Sequence, residues 1–499
     1  MNKIKKLLFV FIIIFTFVMF IACKKKAMNG GYTEYYRDSY TMDATMEAEM
    51  METFAESYNE SKELPIVDAQ KNNESYFSMD SSTAGYSNFR RLINSGQKEI
   101  TVRTDEMLNY FTYGFDDTDE DFVSFSEIAL EPWNTNKFLL TISIKTKEVN
   151  IERYSQGNNF VFLIDVSGSM NGEYRLDLVK KSMKLLVENL NEDDTISIVT
   201  YASGIKTVCS GIKVIQKSLI NGYIDSLQAS GGTAGGEGLK TAYSVCEENL
   251  IQGGNNRIII CSDGDFNVGI NNTEQLKELM KSKLELGIYV TTLGFGMFNY
   301  RDDMMETIAK YGNGVFAFID SIQEAKKVLV DEMDNSLCAV AKDVKSKVVF
   351  NTDIVKSYRL IGYENKTITK EDYEDDTYDG LELGSNSEVM VCYELELFDS
   401  SDLSNMFTLD IKYKDPLTNE NKTYQNTFKG LEAKNFEETS KAFKFASCIV
   451  EFSLVLRNSK YKENASIKHV LETLNDYELC DDDYKTEFKE LIIKYNNIK

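Results

Sequence analysis

The chain has 499 residues, which at ~150 residues per domain predicts about three domains. Its 42% apolar and 27% charged residues are the balance of a folded globular protein, and exclude a polytopic membrane protein and a wholly disordered one. With 79 acidic and 55 basic residues the formal charge is −24, which argues against nucleic acid as a partner because phosphate affinity comes from clustered Lys and Arg; a single histidine, His469, argues against His-based catalysis and zinc chemistry.

The N-terminus reads as a targeting segment. Lys3, Lys5 and Lys6 precede the run Leu7–Ile21, which is apolar apart from Thr16 and short of the ~20 residues that cross a bilayer. The run closes on Phe20-Ile21-Ala22-Cys23, followed by three lysines. A small residue before a Cys at this place resembles a bacterial lipobox, with Phe20 standing where Leu is usual. The resemblance implies a signal peptide over residues 1–22, cleavage before Cys23, lipid on its thiol and amine, and an exported chain anchored in a lipid bilayer. An ordinary secretory signal or an uncleaved anchor is the alternative. Residues 23–72 lack sustained periodicity and read as a flexible tether, with an r.m.s. reach of about 40 Å. A short amphipathic helix around Met42–Phe54 is the one pattern within it.

Residues 73–150 read as a small mixed α/β module. Strands are expected at Ser75–Met79 and Lys137–Ile144, and helices at Tyr86–Gly96 and Thr104–Phe111. Residues 155–338 alternate β-rich apolar runs with helical patterns. The runs are Phe160–Ile164, Ile196–Tyr201, Arg257–Cys261, Ile288–Leu293 and Val315–Ile319. Val179, Met183, Leu186 and Leu190 share one helix face, and Met304, Met305 and Ile308 give a shorter helix its apolar side. Strands that are apolar throughout and alternate with helices predict an α/β fold, a doubly wound and mostly parallel sheet covered on both faces. Such sheets bind ligands where loops leave the carboxyl ends of strands. Residues 339–430 turn β-rich, with strands at Val344–Phe350, Glu388–Phe398 and Phe407–Tyr413 and turns near 375–380 and 415–421. Residues 431–499 turn helical: Phe445, Ile449, Phe452 and Leu456 share a face, and further helices fit Ser466–Leu474 and Asp482–Tyr495. Beyond Cys23, the cysteines form no Cys-x-x-Cys pair and mostly sit in apolar patterns. They read as small buried hydrophobes in preference to a disulfide framework.

The chemistry concentrates in three loops of the alternating region. The first strand runs into Asp165-Val166-Ser167-Gly168-Ser169-Met170. A second loop reads Gly231-Gly232-Thr233-Ala234-Gly235-Gly236. A third strand runs into Ser262-Asp263-Gly264-Asp265. Two carboxylates and three hydroxyls form a hard-oxygen set that suits Mg²⁺, with Mn²⁺ or Ca²⁺ as alternatives, and no soft metal. Neutral hydroxyl ligands leave a cation electrophilic, and carboxylates held behind water neutralise it without quenching it. The glycines permit tight turns close to an ion. Asp165-Val166-Ser167 lacks the second Asp of a haloacid-dehalogenase phosphatase, 231–238 lacks the Gly-Lys-Ser/Thr of a phosphate loop, and Gly294-Phe295-Gly296 lacks the third Gly of a dinucleotide fingerprint. No nucleotide is expected.

This pattern resembles the metal-ion-dependent adhesion site of the von Willebrand factor type A domain. Asp165, Ser167 and Ser169 meet its Asp-x-Ser-x-Ser motif, Thr233 stands at its later Thr and Asp263 at its later Asp. By that resemblance Ser167, Ser169 and Thr233 are direct ligands, while Asp165 and Asp263 act mostly through water. Ala234 replaces the Asn that often follows the Thr. Further segments, namely Ser78-Met79-Asp80, Tyr86–Arg91, Arg103, Glu106–Phe111, Asp263–Gly269, Leu293–Gly296 and Arg359–Asn365, are similar to a bacterial family of exported type A domain lipoproteins. Together they predict a non-enzymatic, membrane-anchored binding protein in which Mg²⁺ bridges to an acidic side chain of a protein partner. A cell-envelope assembly factor is the alternative. A metal-dependent hydrolase is a third reading, and it lacks a general base beside the site.

Overall fold

The computed structural model describes residues 62–79, 84–148, 157–232, 235–263, 273–296, 302–333, 339–378, 380–398, 402–416, 418–475 and 477–498. The segment read as a signal peptide, most of the expected tether, Cys23, the expected Met42–Phe54 helix and Cys338 lie outside the described residues. Among those described, no helix is long and apolar enough to cross a membrane.

Four strands precede the central domain: Val67–Asp68 (β1), Glu74–Ser78 (β2), Phe122–Glu131 (β3) and Asn134–Thr146 (β4). Helices Ala84–Asn94 (α1) and Thr104–Asn109 (α2) lie between β2 and β3. The central domain contains Asn158–Asp165 (β5), Thr195–Tyr201 (β6), Ile205–Lys213 (β7), Asn255–Ser262 (β8), Ile288–Phe295 (β9) and Phe316–Ile319 (β10). Its helices are Leu176–Asn189 (α3), Lys217–Asp225 (α4), Gly235–Glu248 (α5), Thr273–Leu284 (α6), Asp302–Tyr311 (α7) and Ile322–Lys326 (α8), the last running on as a π-helical turn to Asp331.

These six strands form one sheet in the order β10-β9-β8-β5-β6-β7. All neighbours are parallel except β6 and β7. Alternate residues of β5 enter opposite cores. Phe160, Phe162 and Ile164 meet Val179, Met183 and Leu186 of α3, while Val161 and Leu163 meet Leu239, Ala242 and Tyr243 of α5. Covering both faces is why β5, β6 and β8 are buried at every position and why β5 and β8 carry continuous apolar runs, Phe160–Ile164 and Ile258–Cys261. The doubly wound α/β sheet expected from the sequence is present.

After the central domain come Ala339–Phe350 (β11), Val355–Ile361 (β12), Leu381–Gly384 (β13), Glu388–Leu397 (β14), Phe407–Lys414 (β15), Asn421–Thr427 (β16) and Ala433–Lys434 (β17). Lys370–Glu374 (α9) lies among them, and Lys441–Leu456 (α10), Ile467–Thr473 (α11) and Asp483–Ile498 (α12) follow. One sheet has the order β1-β12-β14-β4-β3-β17, and the other β13-β11-β15-β16 with β2 also on β11. The sequence boundaries assign 73–150, 339–430 and 431–499 to separate modules; the strand pairing interleaves them. β4 pairs with β14 from Lys145↔Glu388 to Phe138↔Leu395, and β2 pairs with β11. On β4 and β14, Leu140, Ile142, Ile144, Val389, Val391 and Tyr393 fill the core between the two sheets. Leu139, Met390 and Cys392, of opposite parity, pack under α1, α2, α10, α11 and α12. Two-residue alternation thus serves two cores, and helices, sheet and sheet stack as three layers.

Among the described residues the cysteines are as expected: Cys209, Cys246, Cys261, Cys392 and Cys448 are buried and unpaired, and Cys480 is unpaired and half-buried. Glu451, which interrupts the apolar face of α10, is buried because the single histidine reaches it, His469 Nδ1 lying 2.7 Å from Glu451 Oε2.

Candidate metal centre

β5 lies between β8 and β6 with Ile164 opposite Cys261 and Asp165 opposite Tyr201. Parallel register makes these strands end together, so the residues that leave them meet at one edge of the sheet. Asp165 closes β5 and Asp263 follows β8.

Asp165 is fully buried, and its Oδ1 accepts the Ser167 backbone N–H at 2.8 Å. That local bond turns the chain out of the strand. A single 3-10 turn, Gly168–Met170, follows, held down by the fully buried Met170. The turn brings the hydroxyls of Ser167 and Ser169 to 2.9 Å from each other. Ser167 is buried and Ser169 is half-buried, so the second hydroxyl faces outward.

The glycine loop is tied to this turn. Ser230 N–H donates to the Val166 carbonyl at 2.7 Å, Gly168 N–H to the Gly231 carbonyl at 2.9 Å, and Gly232 N–H to the Ser203 hydroxyl at 2.8 Å. Gly231 has φ +84°, and a Cβ there would lie 2.5 Å from Ser203 Oγ, so no other residue fits without movement. Thr233, two residues on, lies outside the described residues. The structure therefore brings together Asp165, Ser167, Ser169 and Asp263, and ties the loop that leads to Thr233 beside them.

Two buried carboxylate oxygens, Asp165 Oδ2 and Asp263 Oδ1, have no hydrogen-bond partner among the described residues. An unfilled buried acceptor costs about 1–3 kcal/mol, more for a charged group. Burial pushes the Asp165 carboxyl above its ordinary range and the neighbouring Asp263 charge adds to this, while hydrogen bonds from Ser167 oppose it. Two buried carboxylates with unfilled lone pairs beside two hydroxyls are a donor set that could hold a hard divalent cation. Among the described residues no group of three or more His, Cys, Asp or Glu side chains is placed to hold a metal.

Three side chains at this edge escape the sequence reading. Tyr201, fully buried at the end of β6, turns its hydroxyl toward Asp165 and Ser262. Ser203 holds the glycine loop. Arg175, at the entry to α3, donates from Nη1 to the Ser169 carbonyl. The signals for them are faint: a tyrosine ending an apolar strand, and an arginine one short loop after Ser169.

Residues 159–331 match the von Willebrand factor type A domain family, residues 52–141 a family described as von Willebrand factor, and residues 335–498 one described as the C-terminal part of uncharacterized protein YfbK. The chain is similar to uncharacterized protein YfbK of Escherichia coli strain K12, at 34% identity over 465 residues that cover 87% of this chain and 80% of that one. It is also similar to inter-alpha-trypsin inhibitor heavy chain H2 of Mus musculus, at 29% identity over 179 residues that cover 34% of this chain and 19% of that protein. Among solved structures, a von Willebrand factor type A protein from Catenulispora acidiphila aligns over 72% of this chain and 88% of its own, with 13% identity and a TM-score of 0.39.

Proposed function

The chain belongs to the YfbK family of von Willebrand factor type A domain proteins, and from that premise we propose that it is an exported, lipid-anchored binding protein that captures an acidic side chain of a protein partner through a bridging divalent cation. Ser167, Ser169 and Thr233 ligate the ion directly, and Asp165 and Asp263 compensate its charge through water. Mg²⁺ is the preferred cation, since hydroxyl and water ligands suit a small hard ion that keeps part of its hydration shell. The observation that carries this reading is the pair of neighbouring buried carboxylates, Asp165 and Asp263, each with one oxygen that lacks a hydrogen-bond partner among the described residues, at the sheet edge that also carries the paired hydroxyls of Ser167 and Ser169. Water held on a cation would fill both.

The role is binding and not catalysis. His469 is committed to Glu451 in the helical layer and supplies no general base to the candidate centre. The surplus of acid over base fits a cation bridge, because the ion supplies local attraction where the overall field repels an acidic partner. Anchoring through Cys23 follows from the apolar run and Ala22 that precede it.

Isothermal titration calorimetry of the full chain tests the reading. Mg²⁺, Mn²⁺ or Ca²⁺ is expected to bind at one site and to raise the melting temperature, and Asp165→Ala to abolish both effects. Absence of binding by all three cations in the wild type would overturn it.

A further inference from the structure

The strongest unassigned feature at this edge is a cation already built into it. Arg175 donates from Nη1 to the Ser169 carbonyl. Its Nε packs against Gly296, where a Cβ would lie 3.3 Å from Nε and 3.7 Å from Asp263 Cβ. Gly296 has φ +118°, so the backbone there is open to glycine and leaves room for the guanidinium. Arg175 therefore stands between the loop of Ser169 and the loop of Asp263, and is half exposed to solvent. Among the described residues no carboxylate forms an ion pair with it. One N–H is used on Ser169, and the guanidinium carries five.

A lone positive charge beside a divalent cation lowers the affinity for that cation. Asp165 and Asp263 offset part of that repulsion, and a negative group brought by a partner offsets the rest. We propose that Arg175 is the second contact for the partner's oxyanion: the cation takes one oxygen of a carboxylate and the Arg175 fork takes the other. This rests on the cation-site reading above. It assigns the ligand class as a two-oxygen anion, one oxygen for the ion and one for the guanidinium N–H groups that Ser169 does not use; an ammonium in place of the guanidinium cannot hold the Ser169 carbonyl and the anion in the same geometry. Partner selection then depends on the pair, ion and guanidinium, and a neutral amide of the same shape is rejected.

The test uses the full chain and defined probes. Mg²⁺ is titrated into wild type, Arg175→Gln and Arg175→Lys; the Gln variant keeps a donor for the Ser169 carbonyl and removes the charge. A capped Gly-Glu-Gly peptide is then titrated into each Mg²⁺-saturated protein, with capped Gly-Gln-Gly as control. Melting curves in EDTA verify that each variant is folded. The expected result has opposite signs. In Arg175→Gln the affinity for Mg²⁺ alone rises about threefold or more, because one repelling charge is gone. Binding of the Glu peptide falls at least about tenfold, and Arg175→Lys recovers only part of it. If Arg175→Gln weakens Mg²⁺ and peptide together, Arg175 acts only as a support for Ser169 and the inference is wrong. A wild type that binds Mg²⁺ but does not distinguish the Glu from the Gln peptide also overturns it. A wild type that binds no cation overturns instead the reading on which it rests.

Discussion

Arg90 Nη1 of α1 lies 2.6 Å from Oδ1 of Asp320, the residue that follows β10, so a helix from outside the type A domain is fixed to the same sheet edge that carries Asp165 and Asp263. The guanidinium is 4% exposed and uses every side of its fork. Nη1 also donates to Glu324 Oε2 at 2.9 Å, Nε to Glu487 Oε2 at 2.9 Å, and Nη2 to the Tyr110 hydroxyl at 2.6 Å. Tyr110 in turn donates to Glu324 at 2.8 Å. One buried side chain thereby joins α1, the end of α2, α8 and α12. The type A domain is held by the flanking layers.

Arg90→Met is expected to destabilise the fold by about 3–5 kcal/mol, because Asp320 and Glu324 are left buried without their counter-ion. Chemical denaturation reads this, and a loss below about 1 kcal/mol would show that the hub does not hold the layers. Asp320 adds a pH signature. Burial pushes its carboxyl up to about 6, Arg90 opposes this, and Glu324 adds to it. A group with a raised native pKa contributes stability at low pH that is lost as pH climbs through the native value. Asp320→Asn should therefore become more stable relative to wild type between pH 4 and 7. A difference that stays flat across that window contradicts the assignment.

Glu131 is a second buried carboxyl whose proton is held in the folded state, here without a hydrogen-bond partner among the described residues. It is 1% exposed, both its oxygens lack hydrogen bonds, and burial together with the Glu394 charge pushes it up to about 8. The folded state holds the proton at neutral pH, and the contribution to stability fades as pH rises through 8. Glu131→Gln should match wild type closely at pH 5 and exceed it by about 3 kcal/mol at pH 9. Equal pH dependence in the two proteins would mean that Glu131 has a partner in solution.

Much of the site was legible because its strands are buried on both faces. Runs such as Phe160–Ile164 and Arg257–Cys261 declare themselves without alternation, and the acidic residue at or just past the end of each one, Asp165 or Asp263, marks the carboxyl edge. The flanking strands were harder to read. β7 is an edge strand with Lys206, Gly211 and Lys213, and β16, Asn-Lys-Thr-Tyr-Gln-Asn-Thr, buries no residue fully and starts where the turn near 415–421 ends. Neither needs an apolar signature. The interleaving of β4 with β14, and of β2 with β11, is a matter of long-range pairing that local periodicity does not encode. Arg90 sits in a motif that carried family resemblance, but nothing in Tyr86–Arg91 announces Asp320 as its partner.

Anchoring has its own test. Cys23→Ser should leave the precursor unprocessed or release the protein, because lipidation needs the thiol that follows Ala22. Metabolic labelling with a fatty acid decides it, and equal label in wild type and variant would rule out a lipoprotein.

Gly231 links backbone strain to the candidate centre. Gly231→Ala puts a Cβ at φ +84° and 2.5 Å from Ser203 Oγ, so one or the other must move. A cost of about 1–2 kcal/mol in stability is expected from the left-handed conformation alone. Because Thr233 is two residues away, Mg²⁺ affinity should fall as well. Unchanged calorimetry for Mg²⁺ in this variant would detach the glycine loop from the ion.

Thr233 separates a bridging ion from a merely structural one. In the wild type, a cation that binds only the folded chain should stabilise it by about 2.7 kcal/mol at a hundredfold excess over Kd. Asp165→Ala should abolish that increment, since it removes a carboxylate that neutralises the ion. Thr233→Ala removes one hydroxyl at a loop tied to its neighbours through Ser230, Gly231 and Gly232. Its cost to the fold in EDTA should be about 1 kcal/mol, the scale of one hydrogen bond. Partner capture depends on the geometry of the whole ligand set and should fall by about tenfold or more, or ~1.4 kcal/mol. The paired measurement is thermal unfolding of the variant, set against EDTA-sensitive retention of whatever protein the wild type captures from an envelope extract. If Thr233→Ala retains that protein as well as wild type does, or if wild-type retention ignores EDTA, the ion does not bridge and the partner binds another face, such as the helices around Arg90.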